Sequence, residues 1–216
     1  MVVLLVRVQT KQRMNILLSI LNQRPDLVAW ENRPLSQGMQ DGPRASDNRD
    51  RHALVVGIEP PGEPLLDGPF RRVALAISEY RIFPPHLVER VVKRTPIQVG
   101  DTVGINYRAF PGIRMFMACR VIDVYAGLNG NIWHSGFTYR TLHDHAATGE
   151  ETFAVEKNTN TGEVTASLTA WSRPAHWLMR IGYPYARWCQ RHAGRLAVRH
   201  LKDVAEGIIR DKCSLR

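Results

Sequence analysis

The stretch from Trp133 to Val155 constrains the fold of this chain more than any other. It reads Trp133-His-Ser-Gly-Phe-Thr-Tyr-Arg-Thr-Leu142, then His143-Asp-His-Ala-Ala-Thr-Gly149, then Glu150-Glu-Thr-Phe-Ala-Val155. Side chains alternate along a strand, so Trp133, Ser135, Phe137, Tyr139 and Thr141 share one face. Glu151, Phe153 and Val155 share a face of the next strand. Aromatic and β-branched residues of this kind suit a half-buried pleated surface. The two strands pair through a polar loop that holds His143 and His145 and leads into Glu150 and Glu151. Pairing brings Tyr139, Phe153 and Glu151 to one side, and the loop places His145 at their shared end.

The flanking segments set the fold class. Arg72–Phe83 alternates (Val73, Leu75, Ile77) and predicts a strand that Pro84-Pro85 stops. Leu87, Val88, Val91 and Val92 have helical spacing, which Thr95-Pro96 closes. Asp101–Ala109 and Arg114–Tyr125 predict strands, the second apolar on both faces and so unoriented. Glu163–Ser172 alternates cleanly, with Val164, Ala166, Leu168 and Ala170 on one face. From Pro174 the period becomes helical. Trp177, Ile181, Tyr185, Trp188, His192 and Leu196 form an apolar stripe. Arg180, Arg187, Arg191, Arg195, Arg199 and Lys202 form a basic one. Gly182 and Pro184 are expected to kink or divide this helix near its start. The expected fold is α+β: a curved antiparallel sheet packed on a long C-terminal helix. The small Ala166 and Ala170 leave room for a cavity between them.

The 216 residues are 44% hydrophobic, enough for a core. Lys+Arg 29 against Asp+Glu 20 gives +9, which favours anionic partners such as a membrane surface, nucleic acid or an acidic small molecule. Three scattered cysteines suggest neither a disulfide framework nor a zinc site, and fit the cytoplasm. Residues 1–24 contain no acidic residue and too short an apolar run for a membrane span. They read as an accessory tail, or as sequence upstream of a start at Met14 or Met39. Arg33–Arg51 has linker composition. Residues 1–66 are thus expected to be an extension and linker, and residues 67–216 a single domain.

Several spaced motifs carry a resemblance: Gly136-Phe-Thr-Tyr-Arg-Thr-Leu142, His145, Gly149-Glu-Glu-Thr-Phe153, Ser172-Arg-Pro174, Gly182-Tyr-Pro184 and Gln190-Arg191. Together with Thr95-Pro96 and Cys119-Arg-Val121 they resemble the DUF1990 (UPF0548) family of bacterial and plant proteins over about Arg71–Lys202. That resemblance implies no activity. The element order is also similar to the helix-grip superfamily of lipid-transfer, pathogenesis-related and polyketide-cyclase proteins, a likeness of architecture that does not fix function.

Three readings of the loop stand open. His145 with Glu150 or Glu151 could act as acid and base. His143, His145 and a glutamate could hold zinc or iron, although their spacing matches no metal signature. Or the histidine bridges the loop and the glutamates pair with Arg140. Arg120, Phe137, Tyr139, Phe153, Leu168 and Trp177 are the expected lining of a ligand cavity, although Arg120 could instead pair with Asp123 or Glu151. No phosphate loop, dinucleotide fingerprint or Ser-His-Asp order is present, and no cofactor is expected. The reading is a binding protein for a hydrophobic or amphipathic small molecule or lipid. An acid-base enzyme and a basic module for anionic membrane or nucleic acid are the alternatives.

Overall fold

The computed structural model describes residues 26–37, 42–110, 112–175 and 183–209. A single turn, α1 (Val28–Glu31), precedes strand β1 (Asn48–Ile58) and helix α2 (Pro69–Ser78). Six strands follow: β2 (Val88–Val91), β3 (Thr102–Phe110), β4 (Ile113–Asn129), β5 (Ile132–Thr141), β6 (Ala147–Asn158) and β7 (Glu163–Pro174). Helix α3 (Tyr183–Ala205) closes the described chain. The strands form one antiparallel sheet in the order β1-β7-β6-β5-β4-β3-β2. Bulges between Val55 and Gly57, Arg108 and Phe110, and Val121 and Asp123 bend it. The result is the expected α+β helix-grip arrangement, with the sheet curved around α3. No described helix is long and apolar enough to cross a membrane.

Both faces of the sheet are covered. On the concave face, Phe70, Val73, Ala76 and Ile77 of α2 and Ala197, Val198, Leu201 and Val204 of α3 join Phe137, Tyr139, Phe153, Val155 and Leu168 in the main core. On the convex face, Leu27 and Trp30 pack on Phe116, Ala118 and Leu142, with Trp30 edge-on to Phe116 at 6.2 Å. This explains why the middle of β4 is apolar on both faces. Phe116 and Ala118 face α1, while Cys119 and Val121 face the main core.

Four expectations need correction. Residues 69–78 form a helix, not a strand: Phe70, Val73 and Ile77 follow its period, and Leu75 is left 53% exposed. Pro69 stands in the first turn, where a missing N–H costs nothing. Residues 88–91 form a strand paired with β3, not a helix. Folded structure begins well before Asp67, because β1 runs beside β7 from Asn48↔Ser172 to Ile58↔Glu163. Finally, α3 turns a different face inward. Trp188 is 55% and Tyr185 40% exposed, whereas Gly194, Ala197, Leu201 and Ala205 are buried. The buried side is small because the helix lies close to the sheet: a Cβ at Gly194 would overlap the His52 ring. Trp177, Arg180, Ile181 and Gly182 lie outside the described residues, as does the expected kink.

A buried ion pair ties three elements together. Glu59, at the end of β1, meets Lys157 of β6 at 3.0 Å, both side chains fully enclosed. Glu59 also accepts from the N–H groups of Leu65 and Phe70, at the start of α2. Burial alone would raise its pKa, but these donors outweigh it and hold Glu59 below the usual carboxylate range.

A candidate ligand cavity under the C-terminal helix

A cavity of about 170 Å³ lies between the concave face and α3. Strand register builds its floor. Asp50 of β1 pairs with Ala170 of β7, Ala170 with Glu151 of β6, and Glu151 with Tyr139 of β5. These four side chains therefore lie in one row across the sheet. The next row, His52, Leu168, Phe153 and Phe137, is mostly apolar. The other side carries Ser172 and Gly149. Small residues make the space, with Ala147, Gly149 and Ala170 on the sheet and Ala193 and Gly194 on α3.

Glu151 is the polar centre. Protein encloses it, yet it keeps some accessible surface, as a group facing a cavity does. Tyr139 donates its hydroxyl to Oε2. Burial pushes the Glu151 pKa up to about 7, the Tyr139 hydrogen bond lowers it in part, and Asp50 adds a further rise. Burial and the neighbouring Glu151 hold the Tyr139 phenol well above its ordinary pKa. Tyr80 packs its ring against Tyr139 at 6.3 Å and is itself fully enclosed.

His145 also lines the cavity, but it does not touch Glu151. Its Nδ1 meets the Ala147 backbone, 3.1 Å from N–H and 2.9 Å from the carbonyl. Its Nε2 is buried with no partner among the described residues. Burial drops its pKa to about 4, so the ring is neutral at physiological pH. His143 points away, half-exposed, with Asp144 at 3.1 Å. The two histidines do not converge, and no group of three or more His, Cys, Asp or Glu among the described residues is placed to hold a metal.

The remaining expected site residues divide. Glu150 contributes to the lining, but its carboxylate is held by Arg140 at 2.7 Å, on the face opposite Glu151 by alternation. Leu168 lines the cavity, while Phe137 and Phe153 lie beneath it in the core. Arg120 does not reach the cavity. It alternates with Cys119, so it faces α1, where it donates to the Glu31 carbonyl rather than to a carboxylate. Trp177 is outside the described residues. Sequence reasoning missed Asp50 and His52, because β1 up to Arg51 read as linker, only Ala53–Ile58 read as a short strand, and both lie far from β6 in sequence. Arg187 clamps Asp50 with two bonds of 2.6 and 2.9 Å, joining α3 to the far edge of the sheet.

With this geometry in hand, likeness to known proteins can be placed. The model of a domain of unknown function, DUF1990, matches residues 35–200. The chain belongs to the DUF1990 family. The match begins well before Asp67 and includes β1. Two relatives are UPF0548 proteins. One, from Dictyostelium discoideum, is 33% identical over 129 residues, 56% of this chain and 59% of that protein. The other, from Arabidopsis thaliana, is 44% identical over 102 residues, 47% of this chain and 49% of that protein. The aligned part of this DUF1990 chain thus spans between 49% and 59% of their length. Among solved structures, a hypothetical protein from Helicobacter pylori aligns with a TM-score of 0.48 at 11% identity, over 82% of this chain and 96% of that one. A likeness of that order says nothing about a ligand.

Proposed function

We propose that this chain binds a small amphipathic molecule in the cavity between the sheet and α3. The observation that supports this best is Glu151. A carboxyl group is costly to bury away from a cation, and here one borders a mostly apolar cavity. Few convergent polar groups in an apolar pocket is the usual layout of a ligand site. The size narrows the class. A dry cavity of about 150 Å³ holds a benzene-sized molecule, and drug-sized ligands take roughly 300–1,000 Å³. At about 170 Å³ the space suits a single ring or a short aliphatic body with one polar end, rather than a full acyl chain.

Native mass spectrometry of the protein purified from its own host tests this. The wild-type protein should carry a small adduct that Ala170→Leu, which fills the floor, does not. An adduct retained by a folded Ala170→Leu variant would place the ligand elsewhere.

A second reading has one observation in its favour. The Glu151 pKa of about 7 suits a general acid or base at neutral pH. Turnover of the bound molecule by Glu151 would give a rate profile that breaks near that pH and is lost in Glu151→Gln. His145 has no such match, since its ring is neutral and held by the Ala147 backbone.

A further inference from the structure

Resting on the cavity reading above, we infer that the ligand is a small amine, bound as a cation with Glu151 as its counter-ion. Three acidic residues border the cavity, and two already have their carboxylates paired, that of Glu150 on the opposite face of the sheet. Asp50 is clamped by Arg187, and Glu150 is held by Arg140. Among the described residues, Glu151 receives only the Tyr139 hydroxyl, and no lysine or arginine pairs with it. Its neighbour across the strand is Ala170, so the space beside the carboxyl is open.

A hydroxyl or amide in this place would accept a hydrogen bond from a neutral ligand at far lower desolvation cost. A carboxyl group is warranted where the ligand supplies the opposite charge. Phe83, Tyr107 and Tyr139 also line the cavity, and aromatic rings attract an ammonium that sits over their faces. Among the described residues, no lysine or arginine lines the cavity. Arg187 is spent on Asp50 from the α3 side. His145 is neutral, and burial lowers the pKa of His52 on β1, with Arg195 and Arg191 working against Asp50. The other titratable neighbours are Cys119 on β4, Tyr107 on β3, and Tyr80 and Tyr139. Burial raises the pKa of each, so all stay uncharged.

Without a cation, Glu151 holds a proton below about pH 7. An ammonium beside it must displace that proton, so amine binding weakens about tenfold for each pH unit below that point. A neutral ligand that accepts from the protonated carboxyl shows the opposite trend.

The test is calorimetric titration of the full chain with benzylamine and with benzyl alcohol, which share a body and differ in the head. At about pH 8 benzylamine should bind more tightly, and its affinity should fall about tenfold per unit below pH 7. Glu151→Gln should lose both the preference and the pH dependence while still taking benzyl alcohol. If that variant does not fold, the wild-type pH profile decides alone. Tighter binding of benzyl alcohol, or a benzylamine pH dependence that persists in Glu151→Gln, overturns the amine assignment and leaves the cavity reading standing. Binding of neither compound, or binding undiminished in Ala170→Leu, overturns the cavity reading and the amine with it.

Discussion

Glu151 and His145 share one cavity and have pKa values displaced toward each other's usual range, and that has a measurable effect on stability. Between pH 4.5 and about 7 the folded protein keeps a proton on Glu151 that the unfolded chain has released. Stability therefore falls as pH rises through that window, by on the order of 3 kcal/mol in all. For His145 the sign is reversed. Between about pH 4 and 6.5 the unfolded chain holds a proton that the folded one lacks, so stability falls as pH drops through that window, by on the order of 3 kcal/mol. The two slopes oppose each other where the windows overlap, and the wild-type curve is flattened there. Urea unfolding across this range should separate them. Glu151→Gln should leave a curve that climbs with pH up to about 6.5, and His145→Gln one that declines up to about 7. Variant curves parallel to the wild-type would show that neither group is enclosed. Much of this pair was legible in the sequence, because strict alternation put Tyr139 and Glu151 on facing strands. The loop length alone did not show that His145 turns onto Ala147 instead of onto Glu151.

At the scale of elements, strand pairs with short connections were readable and the long-range edge was not. β3 to β7 follow one another through turns, and except in β4, which packs on both faces, their alternation survives in sequence. β1 carries Arg49, Asp50, Arg51 and His52 in a row, which reads as a polar linker because charges occupy both faces. Only the partner strand β7 and Arg187 on α3 make sense of Asp50. Helix α2 was missed for the opposite reason, since Val73, Leu75 and Ile77 fit a two-residue period while Phe70, Val73 and Ile77 fit a helical one. A chain that starts at Asp67 therefore loses an edge strand and the Glu59 partner of Lys157. An unpaired buried charge costs about 3–5 kcal/mol, so such a chain should lose its cooperative thermal transition; an unchanged midpoint would contradict the register of β1. Arg187 gives a finer test of how α3 is attached. Arg187→Gln leaves Asp50 without its clamp and should lower stability by on the order of 2 kcal/mol. The exposed Arg195 should tolerate the same change within about 0.5 kcal/mol. Equal effects in a denaturant series would mean that the Asp50 contact does not anchor the helix.

Across the whole molecule, the sheet and the closing helix meet around Glu151, which borders the cavity between them. The sequence carried the consecutive strands β3 to β7 and the presence of a closing helix, because hydrophobic periodicity records burial. It did not carry the rotation of α3. Trp188 and Tyr185 are the largest apolar groups on that helix, and pattern alone turned them inward. Close approach at Gly194 and Ala197 excluded them, a matter of inter-element distance rather than of residue type. The position of that helix against the sheet is what encloses Glu151 and leaves the cavity. The ionisation of Glu151 is therefore the most direct test of the account. Carbon-13 NMR of the side-chain carboxyls, with the Glu151 signal assigned by its loss in Glu151→Gln, should show it titrating near pH 7. Titration near the ordinary carboxylate pKa of about 4.3 would place Glu151 in bulk water and contradict the cavity.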